Sequence, residues 1–253
     1  MNLGNAPVAN ALGKMQTEPL LPEAAHPYDP FAPISPHLGR HADRKAVTRS
    51  LQRLRRSEIL ATIRRLLTER GCEHVTMRGL AEASGYAVQT IYNLVGPRNQ
   101  AISEAISEYS LYVGRTASPR PEDPRALFSI ISSWLDAIEA EPEFCRQTNL
   151  IFFTPSRSIY YKFRDQQLKG MRNLLRRQQT SGIFRPGIDV DSLAEHLVLL
   201  SSALWLEWSD RPFSIADLQF KLFSGFSNLL LDKVADDYRP LIEGWVQSSR
   251  GGQ

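Results

Sequence analysis

Apolar residues recur at helical spacing along most of this chain of 253 residues. Ile59, Ile63, Leu66 and Leu67 follow one another at i, i+4, i+7 and i+8, which predicts a helix from about residue 51 to 70 with one buried face. No stretch alternates as a half-buried strand would, so the pattern predicts an all-α protein. Later helices are expected at about 124–141, 142–153, 156–181, 189–209, 214–232 and 239–247, separated mainly by glycines and prolines.

Two short helices are predicted between residues 76 and 94, joined by a tight turn. Thr76 is a natural N-cap, because its side-chain oxygen can accept a free backbone N–H at the start of a helix. Gly85 stands at the turn, where glycine tolerates left-handed backbone. The second helix turns Ile91 inward and leaves polar and aromatic residues outside. Such an outer face suits insertion into the major groove of DNA.

The same stretch resembles the DNA-binding domain of the TetR family of transcriptional regulators, over about residues 57–109. The departures from the family pattern are Ala87, Gln89, Leu94, Val95 and Asn99. The resemblance implies a three-helix, N-terminal helix-turn-helix domain followed by a larger helical ligand-binding and dimerisation domain. The matching positions are Thr76, Arg78, Leu80, Ala81, Ser84, Gly85, Thr90, Ile91, Tyr92, Gly96 and Arg98.

Composition divides the chain into three segments. Residues 1–39 contain seven prolines and few periodic apolar residues, which favours a disordered extension. Residues 40–110 are expected to hold a basic arm and the helix-turn-helix, and residues 111–253 the helical ligand-binding and dimerisation domain. The net charge is only +3, but residues 40–110 contain 12 Lys/Arg against 7 Asp/Glu, so positive charge concentrates where phosphates would bind.

Contacts with double-stranded DNA are expected from the basic arm, from the two short helices and from the start of the next helix. We expect Thr90 and Tyr92 to bind phosphates, while Gln89 and Asn93 read bases, because these four side chains point outward. The complete expected set is Arg44, Lys45, Thr76, Arg78, Ala87, Val88, Gln89, Thr90, Tyr92, Asn93 and Arg98.

The C-terminal half is rich in large aromatic residues, which favours a cavity for a small hydrophobic or aromatic ligand between helices. For any one of these aromatics, however, simple core packing is favoured over contact with a ligand. The doubled pairs 152–153 and 160–161 should each turn one ring inward, since neighbours on a helix lie about 100° apart. The expected cavity residues are Trp134, Phe144, Phe152, Phe153, Tyr160, Tyr161 and Trp205.

Two leucine-rich stripes in the last long helices predict either self-association or an internal core, which spacing alone does not distinguish. By the resemblance, these helices would form a four-helix interface across a two-fold axis. Two heads could then bind two half-sites on DNA. The expected interface residues are Leu197, Leu200, Leu204, Leu218, Leu222, Phe226 and Leu229.

Catalytic and metal-binding chemistry is not expected. The five histidines show no metal-ligand spacing, and no nucleotide-binding or hydrolase motif is present. We therefore expect no enzymatic activity, no cofactor and no metal. The two distant cysteines and the lack of a long apolar run favour a cytoplasmic protein without membrane contact.

These observations predict a homodimeric, sequence-specific transcriptional regulator, in which a small molecule releases a repressor from its DNA operator. The alternative is a helical dimeric protein-interaction module whose DNA-binding head is degenerate.

Overall fold

The computed structural model describes residues 44–116 and 120–250, with the side chains of residues 49–115 and 120–245. The predicted extension at residues 1–39 lies outside the described residues. The described part contains ten α-helices and no strand, and its one isolated bridge pairs Phe184 with Val234. The prediction of an all-α fold is therefore confirmed. The first four helices are α1 (Arg44–Arg70), α2 (Met77–Ser84), α3 (Val88–Val95) and α4 (Arg98–Thr116).

Helices α1 to α3 form the unit called here the head. Ile59 and Ile63 of α1 are fully buried, as the periodicity predicts, and they share one core with Leu80 of α2 and Ile91 of α3. Helix α1 starts earlier than expected: it begins at Arg44 and not at about residue 51. Residues 51–55 of α1 are all exposed, so an apolar-periodicity criterion does not detect that part of the helix.

Helix α4 connects the head to the second unit, called here the body. Two ion pairs join α4 to α1: Arg56 Nη2 lies 2.6 Å from Glu104 Oε2, and Arg64 Nη1 lies 2.8 Å from Glu108 Oε2. The Arg64 side chain is completely buried, so its charge depends on this carboxylate for compensation. The two ion pairs therefore fix one turn of α4, from Glu104 to Glu108, to α1 of the head.

The body consists of α5 to α10. Helix α7 packs on α8, α8 on α9, and α9 on α10, while α6 also packs against α1 of the head. The predicted helices all form, with ends displaced by a few residues; the expected helix 142–153 finishes as a short 3₁₀ turn, Ile151–Phe153. The bounds are α5 Ala126–Ala140, α6 Pro142–Leu150, α7 Ser158–Thr180, α8 Val190–Asp210, α9 Ile215–Leu230 and α10 Arg239–Arg250.

Helices α8 and α9 approach each other closely at Gly225. A Cβ atom at this position would lie 2.6 Å from Leu200 Cδ2, so only glycine fits without moving the leucine. The close approach that Gly225 permits is therefore made within one chain. Within the described residues, no helix is both long enough and apolar enough to cross a membrane.

Candidate nucleic-acid interface and interhelical cavity

Helix α2 begins with the cap that the sequence predicts. Thr76 Oγ1 accepts a hydrogen bond of 3.0 Å from the backbone N–H of Gly79. A Cβ atom on Gly79 would lie 3.1 Å from that same oxygen, so the glycine leaves room for the cap. Arg78 is 90% exposed at the surface of α2 and its Nε lies 3.3 Å from Glu82 Oε1. Arg78 is therefore available to a phosphate at little cost, since exposed ion pairs are weak.

The turn between α2 and α3 is fixed at both its ends. Gly85 has φ 72°, and its N–H donates to Ala81 O at 3.0 Å, which ends α2 in left-handed backbone. The Tyr86 hydroxyl donates to Glu58 Oε2 of α1 at 2.5 Å. This hydrogen bond raises the pKa of Tyr86, and it holds the start of α3 against α1.

Helix α3 presents the surface expected of a recognition helix. Ile91 and Val95 are buried, whereas Val88, Gln89, Tyr92 and Asn93 are exposed. Thr90 is half-buried, and Ala87 is an exposed N-cap with no side-chain hydrogen bond. On the outer surface Gln89 Nε2 donates to Asn93 Oδ1 at 3.1 Å. The two residues that are expected to read bases are therefore hydrogen-bonded to each other.

Arg98 was expected to contact DNA, and the structure gives it a different role. Its Nε donates to Val75 O at 2.6 Å, and its Nη2 donates to Cys72 O. Its Nη1 donates to Asn99 Oδ1 at 2.6 Å and to Ser156 Oγ of the body at 3.2 Å. Because all three guanidinium nitrogens are engaged within the chain, Arg98 is a connector between head and body rather than a phosphate ligand.

The basic arm is helical where the structure describes it. Arg44 and Lys45 lie in the first turn of α1, and their side chains are outside the described set. Arg49, Arg53 and Arg55 follow as exposed residues of the same helix. Arg49 belongs to the basic arm that was expected to bind phosphates, whereas Arg53 and Arg55 are absent from the expected DNA-binding residues.

A cavity opens between α4, α5, α6, α7 and α8. Its empty space is about 550 Å³ when counted out to the solvent at the mouth. Four of the seven expected residues line it: Trp134, Phe144, Tyr160 and Trp205. The remaining lining residues were not expected from sequence; they are Ile106, Tyr109, Ile138, Cys145, Thr148, Asn149, Phe163, Gln167 and Ser202.

Three expected cavity residues lie elsewhere, which corrects the prediction. Phe153 is 62% exposed and Tyr161 is 43% exposed, so each faces outward. The Phe152 ring packs edge to face on Tyr160, Phe153 and Tyr161, with centroids 5.1 to 6.0 Å apart. Phe152 therefore supports the cavity wall from behind through Tyr160. One ring of the pair 160–161 turns inward as expected, whereas neither ring of 152–153 enters the cavity.

The predicted dimer interface along the two leucine stripes also needs correction. Leu197, Leu218, Leu222 and Phe226 are at most 1% exposed within a single chain, because they form the core between α8 and α9. These four side chains have no surface left for a second subunit. The other three expected interface residues, Leu200, Leu204 and Leu229, remain half-buried. Leu199, which the stripe pattern omitted, is 50% exposed on α8.

Residues 59–93 match the family model described as bacterial regulatory proteins, tetR family. No curated protein matches the chain. The family match and the exposed face of α3 together support a DNA-binding transcriptional regulator. The matched segment contains α2 and most of α3, so the head carries the helix-turn-helix of the TetR family, as the sequence resemblance predicts.

Solved structures of such regulators share the fold. SmeT, the repressor of the SmeDEF multidrug efflux pump of Stenotrophomonas maltophilia, is 16% identical, covers 72% of this chain and 91% of its own, and gives a TM-score of 0.58. TylP, a TetR regulator from Streptomyces fradiae, is 19% identical and covers 82% and 94% with a TM-score of 0.54. FadR of Thermus thermophilus, in complex with lauroyl-CoA, is 16% identical and covers 70% and 93% with a TM-score of 0.51.

Proposed function

We propose that this regulator is a repressor that binds its operator as a homodimer and leaves it when a small molecule fills the cavity between the body helices. One observation carries the proposal. Helix α4 supplies Ile106 and Tyr109 to the cavity wall, and the same helix is fixed to α1 of the head by two ion pairs. A ligand that displaces α4 at the cavity therefore displaces the head.

The DNA contacts follow from the exposed side chains of α1, α2 and α3. Thr76, Arg78, Thr90 and Tyr92 would bind phosphates and set the position of α3 in the major groove. Gln89 and Asn93 would read base edges, with Ala87 and Val88 in apolar contact. Arg44 and Lys45, together with the exposed Arg49, Arg53 and Arg55 of α1, would bind phosphates outside that groove.

The dimer interface would use the outer faces of α8 and α9 rather than their full leucine stripes. Leu199 and Ala203 are exposed on α8 beside half-buried Leu200 and Leu204, and half-buried Leu229 lies on α9. Burial of these groups against a second copy would remove apolar surface from water. A two-fold axis there would present two heads to one duplex.

The fold relatives offer support by analogy. SmeT is a repressor, and FadR was solved with lauroyl-CoA bound. If the ligand of this chain lowers operator affinity by some factor, the operator must lower ligand affinity by the same factor, because the two equilibria are linked.

A mobility-shift titration with the DNA upstream of the gene itself tests the proposal. We expect a specific complex that an unlabelled operator competes away and that random DNA does not. Sedimentation of the free protein should give twice the chain mass of 28.6 kDa. A stable dimer that shifts no upstream DNA would instead favour the protein-interaction module, for which the uncapped start of α3 at Ala87 is the supporting observation.

A further inference from the structure

The wall of the cavity carries no formal charge. Among the described residues that line it, none is Asp, Glu, Lys, Arg or His. Aromatic and aliphatic groups from five helices form most of the surface, and the polar lining groups are a few hydroxyls and amides. A cavity of this kind binds the apolar body of a ligand by burial and orients it through a small number of hydrogen bonds.

Two titratable groups in the wall also stay neutral. Burial raises the pKa of the Cys145 thiol to about 12, so that side chain is not a thiolate at neutral pH. Burial likewise raises the pKa of Tyr160, although a hydrogen bond with Ser202 partly opposes the shift. A charged ligand would therefore enter a space with no opposite charge to compensate it, and burying an uncompensated charge is strongly unfavourable.

Among the described residues, Thr148 places an unpaired hydroxyl group in the cavity wall. Its Oγ1 is buried in the wall and has no hydrogen-bond partner within the described residues. Asn149, the next residue, has its amide held by a 3.1 Å hydrogen bond from Nδ2 to Ser209 Oγ. An unpaired buried hydroxyl carries a free-energy cost that a ligand removes when it supplies a donor or acceptor.

We infer that the cavity binds an uncharged aromatic molecule bearing one hydroxyl or carbonyl group, which hydrogen-bonds Thr148 while the ring system lies among Trp134, Phe144 and Trp205. The inference rests on the proposed function only for the consequence of binding, which is release of the operator. The inferred ligand differs in chemical class from the lauroyl-CoA bound to FadR. A coenzyme A thioester carries phosphates, whose usual partners are basic groups, and the described wall provides none.

Four matched probes test the chemical class by titration calorimetry at neutral pH: naphthol, naphthalene, the naphthoate anion and the naphthylmethylammonium cation. Naphthol should bind most tightly, naphthalene about tenfold more weakly, and both ions should bind more weakly than naphthalene. Ionic probes that bind as tightly as naphthol would overturn the inference, and so would a failure of all four probes to bind.

Variants locate the contact. Thr148→Val keeps the shape of the side chain and should reduce naphthol affinity about tenfold while leaving naphthalene affinity unchanged. Gln167→Arg should increase naphthoate affinity, by about tenfold or more, because it places a cation in the wall. Thr180→Val is the matched control, because Thr180 is exposed at the end of α7 and does not line the cavity, and it should leave the affinity for every probe unchanged. If Thr148→Val affects both probes equally, the hydroxyl is not the polar contact.

A mobility shift in the presence of naphthol separates this inference from the proposed function. Binding of naphthol with dissociation of the operator complex supports both. Binding without any change in operator affinity supports the ligand class and overturns ligand-triggered release. Dissociation of the operator complex under a probe that calorimetry shows not to bind the cavity would contradict the ligand class.

Discussion

Arg98 Nη1 donates a 3.2 Å hydrogen bond to Ser156 Oγ, and this contact joins the first turn of α4 to the loop that precedes α7. Ser156 is 5% exposed, so the bond is shielded from water. The same guanidinium holds the carbonyls of Cys72 and Val75 between α1 and α2. One side chain thus connects the head, α4 and the body.

Arg98→Ala should lower the free energy of unfolding by about 2–3 kcal/mol, because several carbonyl and hydroxyl groups are deprived of a charged donor. Ser156→Ala should cost about 1 kcal/mol by the same principle. Urea denaturation of both single variants and the double variant measures the coupling. Additive effects within about 0.3 kcal/mol would show that the two residues do not interact in solution.

Thr90→Ala combined with Tyr92→Phe should weaken binding to all DNA sequences about equally, since phosphate contacts carry no sequence information. Gln89→Ala should instead relax preference at one base pair by about 1–3 kcal/mol. Titrations against the operator and a set of single-base variants distinguish the two patterns. Unchanged operator affinity in the Thr90/Tyr92 double variant would show that α3 docks differently.

Leu222→Glu should abolish folding rather than dissociate a dimer, because Leu222 is completely buried inside one chain. Leu199→Glu places the same charge on the exposed face of α8 and should give a folded monomer. Circular dichroism reports folding and sedimentation reports mass for both variants. A folded dimer of unchanged mass for Leu199→Glu would place the interface elsewhere.

Deletion of residues 1–39 should leave operator affinity nearly unchanged, because Lys14 is the only Lys or Arg in that segment. Deletion through Lys45 should lower affinity and reduce the salt slope by about 0.9 for each phosphate that the protein no longer neutralises. Arg44→Gln with Lys45→Gln in the full chain controls for shortening of α1. Coinciding salt slopes for the two deletions would mean that this segment does not touch DNA.

The head could be predicted from local sequence because its determinants are local. Gly85 ends a helix through its own backbone conformation, and Thr76 caps one through a residue three positions away. Arg98 could not be assigned in this way, since its partner Ser156 is 58 residues distant and a basic residue beside a DNA-binding motif resembles a phosphate ligand.

The body shows the limit of periodicity. The spacing of the leucines correctly predicts that Leu197 and Leu222 are buried. The same spacing is typical of both an internal core and a subunit interface, so it does not decide which of the two buries them. Two of the cavity residues that the sequence does not reveal, Thr148 and Gln167, are polar and lie on α6 and α7. Their side chains reach the same cavity only because the helices pack together, and the sequence pattern of one helix does not predict that packing.

The Thr76 hydroxyl has a proton as well as an acceptor oxygen, and only the oxygen is used by the Gly79 cap. The proton remains for a phosphate oxygen, so one side chain would contribute both to folding and to DNA affinity. Aspartate is an equally good N-cap but repels phosphate. Thr76→Asp should therefore keep the melting temperature while operator binding falls, whereas Thr76→Val should reduce both. The two substitutions therefore separate the contribution of Thr76 to stability from its contribution to DNA binding, which Thr76→Ala would change together.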